Sequence, residues 1–474
     1  MPKIISTLMY SLILCGIVSC TAKVSPDVKL SSVQTPFKWS NKNSFINNGD
    51  PVIEWWKQFN DPQLNGYIND VLQSNFDLRA AAAKVQKVKA LRTEAQSQLY
   101  PQINIQVKDS KYQIFDADNG SSLFPLNNNQ SLNFFDAGFD ATWEIDLWGK
   151  QRWNVIAIQE NIEVANEYKR AVLISLIAEL ARNYMELRGN QEQLVILQKN
   201  VDIQNRNLNL IQYKHKIGLS RTIDVTEAQT LFAATHSKIA NLKSSIKVSA
   251  YNIAVLTGRN PDALLNELLP KKFLPRPVNV IAVGLPANLI LRRPDIRQAQ
   301  RELGGAIASV GSATANLYPA IGINGNIGFA NMQLGDLINF KGGLWGITPS
   351  INWKLFDKKA LTARLNASKE QVKVADASLR QTVLNAIKDV ETSISYFDSA
   401  QKTQKDLKKA ALLSLQSYNI IKESYRIGLR NKLDVLEAEK IYLNNKSQLI
   451  ASEVQVNLQI INLYKSLGGG WERV

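Results

Sequence analysis

The chain has 474 residues, 45% hydrophobic and 20% charged, which excludes wholesale disorder and leaves material for two or three domains. Lys and Arg outnumber Asp and Glu by 56 to 41, but the formal charge of +15 is scattered along the chain and not gathered into one arm, so nucleic acid is a disfavoured partner. Two histidines, His215 and His236, and two cysteines, Cys15 and Cys20, are too few for a His- or Cys-based metal site or a disulfide framework.

Lys3 precedes an apolar run from Leu8 to Val18, the length of a secretory h-region and short of a membrane-spanning helix, so residues 1–19 read as an export signal. The run closes on Ile17-Val18-Ser19-Cys20, which resembles a bacterial lipobox, and cleavage before Cys20 would free its thiol for lipidation. Several acyl chains on one residue anchor a protein stably. An ordinary signal peptide with a chance cysteine is the alternative. Thr21, where Asp would stand in retained lipoproteins, resembles the class sorted to the Gram-negative outer membrane. Residues 20–72 then form an anchored segment leading into the first helix.

A helix is expected over about 73–98, followed by two strands. Ile103, Ile105 and Val107 alternate with polar residues. From Phe135 to Leu147 the alternation is strict: Phe135, Ala137, Phe139, Ala141, Trp143, Ile145 and Leu147 are apolar, and Asp136, Gly138, Asp140, Thr142, Glu144 and Asp146 are small or polar. A half-buried soluble sheet shows the same pattern. The second strand, however, exceeds the roughly nine to eleven residues that a tilted membrane strand needs, and its carboxylates suit a water-filled lumen. Tyr100, Trp148, Tyr318 and Trp345 stand near segment ends, where interfacial aromatics belong. An Asn-rich connection including Asn127 to Asn129 makes the pair a hairpin, and Phe115 to Gly120 within it reads as a turn, since it lacks the later ligands of a calcium loop.

Arg152 to Lys216 holds no proline and only Gly189, so roughly 65 residues at 1.5 Å each make a helix of about 97 Å. Leu194, Leu197, Val201, Leu208 and Ile211 follow a heptad rhythm with Gln204 at the remaining position, as a coiled-coil seam does. Ile217-Gly218-Leu219 reverses the chain, and a helix returns over about 222–257 with Asp224 placed to cap it. Prolines from Pro261 to Pro294 mark a linker over 259–290.

The plan then repeats. Asp77, Arg79, Leu99, Tyr100 and Pro101 recur as Asp295, Arg297, Leu317, Tyr318 and Pro319 at a spacing of 218, and Trp143, Gly218, Asp224, Glu227 and Gly258 recur as Trp353, Gly428, Asp434, Glu437 and Gly468 at 210. Residues 73–258 and 291–468 are therefore two copies of one supersecondary unit, with 469–474 as a tail. The second copy carries a helix near 295–316, strands around Ile321 to Phe329 and Trp345 to Leu355 joined through Gly342-Gly343, a long helix near 360–424, and a return helix near 433–466. Four strands cannot close, because each unpaired edge group in lipid costs several kcal/mol. The chain must oligomerise, and physics alone leaves open two copies with eight strands or three with twelve.

GLPANLILRRPDIR (284–297), LYP (317–319), YRIGLRNKLDVLEA (425–438), LYKSLGGGW (463–471) and WWKQFND (55–61) resemble the TolC-like outer-membrane efflux proteins, nearest their OprM/NodT lipoprotein branch. The resemblance implies a mixed α and membrane β fold: a homotrimer whose four strands per chain form a 12-stranded transmembrane β-barrel continuous with a periplasmic α-helical barrel. It implies a passive duct for small molecules, docked to a periplasmic membrane-fusion adaptor and an inner-membrane RND-type pump, with no cofactor and no metal. It places a pore constriction on Asp434 and Glu437, where the family usually has Asp at the second position, and adaptor docking on Ile217, Gly218, Leu219, Ile427, Gly428 and Leu429. Tyr425 and Arg430 of one tip are expected to hold Asp224 of the other as a gate. A type I protein secretion duct and a structural coiled-coil lipoprotein are the rival readings. An enzyme is the weakest, because no nucleophile, base and acid emerge together.

Overall fold

The computed structural model describes residues 38–40, 46–47, 52–113, 131–276, 281–284, 286, 292–340 and 342–471. The signal at 1–19, Cys20, the Phe115 to Gly120 turn and Asn127 to Asn129 lie outside the described residues. The first half runs β1 (Ile46–Asn47), a 3-10 helix (Trp55–Phe59), α1 (Pro62–Ser74), α2 (Phe76–Ser97), β2 (Gln102–Gln113), β3 (Ser131–Ile145), α3 (Lys150–Lys216) and α4 (Thr222–Leu256). After α5 (Leu265–Leu268) and β4 (Ile281–Ala282), the second half runs α6 (Pro294–Ala315), β5 (Ala320–Asn331), α7 (Leu334–Ile338), β6 (Gly343–Asn352), α8 (Lys358–Arg426) and α9 (Lys432–Ser466).

The duplication is visible as repeated geometry. Trp143 Nε1 donates to the Leu99 carbonyl at 3.1 Å, and Trp353 Nε1 to the Leu317 carbonyl at 3.3 Å. Asn75 Nδ2 donates to the last-turn carbonyl of Leu256 at 2.8 Å, and Arg293, its counterpart, reaches the equivalent Ser466 carbonyl at 2.8 Å through Nη1. Strands pair antiparallel in the order β2-β3-β5-β6, which leaves β2 and β6 as edges. Register obeys the duplication as well. Ile105 faces Phe139 across β2 and β3, and their counterparts Ile323 and Pro349 face each other across β5 and β6.

Contacts divide the chain into two compact units that cut across the repeats. One holds Val85–Val164 and Ala299–Leu379, including the sheet; the other holds the described residues before Val85, Ala165–Gln298 and the chain from Arg380. In the second unit Trp55, 1% exposed, stacks on Tyr464 with ring centroids 5.4 Å apart, and burial pushes the Tyr464 hydroxyl up to about 12. Arg188 is fully buried yet hydrogen-bonded, donating to Gln63 Oε1 and Gln191 Oε1 at 2.8 Å each.

Three features depart from the sequence expectation. The segment 20–72, expected only to lead into the first helix, contains a helix of its own, α1, which Asp61 caps by accepting from the backbone N–H of Gln63 at 2.9 Å and Leu64 at 3.1 Å. The Asp-Pro pair at its start and Leu64, Ile68 and Val71 at helical spacing were the available signal. The linker is not featureless, since it carries α5 and β4, which pairs parallel with β1. The second hairpin is longer than a glycine turn and includes the short helix α7.

Candidate functional site

The sheet is two-faced. Ile105, Phe139, Ile327 and Trp345 form one row across all four strands, and they are 74%, 51%, 61% and 77% exposed. The adjacent row is Asn104, Asp140, Asn326 and Gly346. Water would make so continuous an apolar face costly at roughly 25 cal/mol per Å², whereas hydrocarbon solvates it. On the polar face a Cβ added to Gly138 would stand 2.6 Å from the Ile327 carbonyl oxygen and 2.8 Å from the Gly328 Cα. The strands approach closely there, which reserves the position for glycine. Glu144 pairs with Lys150 Nζ at 3.0 Å, and Asp136 stands opposite Lys108.

Asp146 corrects the expectation of a fourth lumenal carboxylate. The strand ends at Ile145, and Asp146 turns back to accept from the backbone N–H groups of Gln151 and Arg152 at 3.0 Å each and from Arg152 Nε at 3.1 Å. The start of α3 has orphan donors to satisfy, and this need outranks the alternation.

The two helix-reversing turns are near copies. Leu219 N–H bonds the Lys214 carbonyl and Gly218 N–H that of His215, and Leu429 and Gly428 do the same with Ser424 and Tyr425. This double bond pattern requires a left-handed residue, and Gly218 and Gly428 supply it at φ +78° and +81°. Ile217, Leu219, Ile427 and Leu429 project 50%, 73%, 60% and 74% exposed. His215, not singled out by sequence, ties the turn down through Nδ1 to the Ser220 carbonyl oxygen at 2.8 Å.

The acidic residues are engaged locally. Asp224 accepts from the backbone N–H of Arg221 at 2.8 Å, the Ser220 hydroxyl at 3.1 Å and Arg221 Nη2 at 3.1 Å; the first of these is the main reason its carboxyl lies below the usual aspartate range. Asp434 and Asn431 form the corresponding reciprocal cap, with Arg430 Nη1 at 4.0 Å from Asp434. Glu437 lies one turn on, paired with Lys440 Nζ at 3.1 Å, and Tyr425 receives Lys432 Nζ 5.3 Å from its ring centre. The structure thus sets Arg430 near Asp434, with Glu437 one turn on and paired to Lys440, while Asp224 is hydrogen-bonded by Ser220 and Arg221.

Beneath the acids, Ile196 and Ile203 of α3 pack with Leu436, Leu443 and Ile450 of α9, residues seven apart on both helices. Sequence placed the seam on Leu194, Leu197, Val201, Gln204, Leu208 and Ile211; Val201 and Gln204 are buried, while Leu194, Leu197, Leu208 and Ile211 are only half-buried. The α3 helix has apolar side chains on adjoining stripes, and period alone does not say which one a neighbour covers.

The profile of the family described as outer membrane efflux protein matches residues 67–259 and 285–469, one span per repeat. The chain belongs to that family. The pyoverdine export outer membrane protein OpmQ of Pseudomonas aeruginosa is 25% identical over 447 residues, covering 93% of this chain and 92% of OpmQ. The cation efflux system protein CusC of Escherichia coli is 25% identical over 467 residues, covering 95% and 96%. Among solved structures, the outer-membrane channel OprN superposes with a TM-score of 0.83 at 29% identity, covering 95% of this chain and 100% of that one. The Campylobacter jejuni CmeC outer membrane channel gives 0.82 at 21% identity, covering 95% of each chain. This outer membrane efflux protein therefore has the TolC-like channel fold, resides in the outer membrane of a Gram-negative cell and extends into the periplasm. Among the described residues no helix is long and apolar enough to cross a membrane.

Proposed function

We propose that three copies of this chain close a twelve-stranded barrel and serve as the passive exit duct of a tripartite efflux system, fed through a periplasmic adaptor by an inner-membrane pump and held to the outer membrane also by lipid on Cys20. The observation that carries the assembly is register. The β3 to β5 pairing, moved by the two repeat spacings, sets β6 of one copy against β2 of the next, so that Gly138 opposite Gly328 becomes Thr348 opposite Ser110. On the apolar face Val107 then meets Ile351, while Asp109, Lys111 and Gln113 meet Pro349, Ile347 and Trp345 toward the hairpin end of β2. Twelve strands also leave a bore for a polar face rich in Gly, Asn and Asp, which could not fill a dry eight-stranded interior.

The exposed turns at Ile217 to Leu219 and Ile427 to Leu429 are the adaptor-docking surface, because they offer small and apolar groups on rigid helix ends. Asp434 and Glu437, three residues apart on one helix face, bring six carboxylates together in the trimer and favour cations over anions. Arg430 and Tyr425 of one tip hold Asp224 of a neighbouring tip in the resting state. The relatives' names cover pyoverdine, toluene and cations, which supports a duct that takes its cargo from the pump.

Planar-bilayer recording tests this reading. The purified protein is expected to give discrete channels whose cation preference falls when Asp434→Asn and Glu437→Gln are combined, and Arg430→Ala is expected to raise the resting conductance. Absence of channels rejects the duct, unchanged selectivity rejects the constriction, and unchanged conductance in Arg430→Ala rejects the gate.

A further inference from the structure

The two repeats differ in sign at one place. In the first, Glu144 at the end of β3 is neutralised by Lys150 Nζ at 3.0 Å, and Asp146 just beyond it by Arg152 Nε at 3.1 Å. Moved by the second repeat spacing, Glu144, Asp146, Lys150 and Arg152 become Lys354, Phe356, Ala360 and Thr362, so both acids are lost and a cation stands where Glu144 was. Asn154 likewise returns as Arg364. Among the described residues neither Lys354 nor Arg364 has an ion-pair partner. Asp357 lies between them in sequence but does not line the cavity that they share.

That cavity is about 770 Å³, within the range of small-molecule sites. It opens on the polar face of the sheet, bounded by the strand ends, the starts of α3 and α8 and the end of α6. Gln98, Gln151, Asn154, Asn316, Asn324 and Asn352 bring carboxamides to it, and four serines bring hydroxyls. Carboxamides and hydroxyls both donate and accept, whereas Lys and Arg only donate. Two uncommitted positive charges therefore stand among groups that satisfy hydrogen bonds of either sense.

We propose that this cavity binds a small hydroxylated polycarboxylate, its carboxylates on Lys354 and Arg364 and its hydroxyls among the carboxamides and serines. A polyamine meets acids that Lys150 and Arg152 already neutralise. A neutral polyol leaves both cations unanswered, and inorganic phosphate makes little use of the acceptors. All the lining residues belong to one chain, so the site does not need the three-fold ring. Closure leaves it open: moved by the repeat spacings, Glu144 opposite Gly322 becomes Lys354 opposite Asn104 of the next copy, and the same-face neighbours Gln102 and Gln106 are neutral too. Its role in transport rests on the duct reading, in which three such sites ring the bore at the foot of the barrel and favour anionic cargo there.

The test is calorimetric titration of the full-length, detergent-solubilised protein at low ionic strength with citrate, xylitol, spermidine and inorganic phosphate. Citrate is expected to bind saturably and about tenfold or more tighter than the other three. Lys354→Gln and Arg364→Gln are each expected to weaken citrate about tenfold, the loss of one charge-assisted hydrogen bond, while Lys354→Arg stays within about twofold of the wild type. Lys405→Gln removes the same charge from another exposed position of α8 and is expected to change nothing, which separates the site from the basic character of the whole chain. Citrate binding no tighter than that of xylitol, spermidine or phosphate, unchanged binding in Lys354→Gln, or an equal loss in Lys405→Gln overturns the proposal. Bilayer recording of the same preparations keeps the two readings apart: channels without selective citrate binding reject the cavity alone, and absence of channels rejects the duct whatever the titration gives.

Discussion

Gly218 and Gly428 have open space around the position of a Cβ, so what reserves them for glycine is backbone conformation and not crowding. Forcing an L-residue into the left-handed region costs about 1 to 2 kcal/mol. Gly428→Ala is therefore expected to lower hydrogen-exchange protection of the Leu429 amide roughly fivefold or more while leaving Gly468, in the same conformation at the far end of α9, unaffected. Asp224 adds a pH dependence. Its carboxyl is more acidic in the folded tip than in the unfolded chain, so its contribution is complete above the ordinary aspartate range near pH 4 and is lost as pH falls through the depressed folded value. Exchange at the first turn of α4 is expected to quicken below that range in the wild type and not in Asp224→Asn, whose cap no longer titrates. At this scale the sequence told much: the turn glycines and Asp224 stood out through duplication. Asp146 did not, because a carboxylate continuing an alternation and a carboxylate capping the next helix look alike until the strand end is known.

Among the elements, long helices without proline were readable to within two residues at most ends, since only caps and glycines could stop them. The packing face was not. Ile203 is 3% exposed and sits between Leu436 and Leu443, so Ile203→Ala is expected to cost about 2 to 4 kcal/mol of local stability, while Leu194→Ala, at a half-buried position, costs under half as much. Hydrogen exchange along α3 measures both, and equal losses would return the seam to the stripe suggested by period alone. Strands carried a clearer message, because period two states which residues share a face, and only the choice of solvent for each face remained. The exposed row of Ile105, Phe139, Ile327 and Trp345 answers it. Residues 20–72 read from sequence as an anchored segment leading into the first helix, yet Asp61-Pro62 begins a helix there, α1, by ordinary capping chemistry.

For the whole molecule the governing fact is that one chain contains two copies of a unit and an open sheet with two free edges. The proposed closure repeats the β3 to β5 junction between chains, and within the chain that junction is specified residue by residue. Lipid makes closure obligatory, since the edge N–H and C=O groups have no water to turn to. The most direct measurement is disulfide formation between Ser110→Cys and Thr348→Cys carried in one chain and expressed in the outer membrane. The proposed register sets these positions opposite each other on the lumenal side of adjoining subunits. The expected result is a ladder ending at three covalently linked chains on non-reducing gels, absent when either cysteine is present alone and absent when Thr348→Cys is paired with Lys108→Cys, two residues along β2 on the same face. A ladder that stops at two chains, or crosslinking that ignores register, would contradict the account.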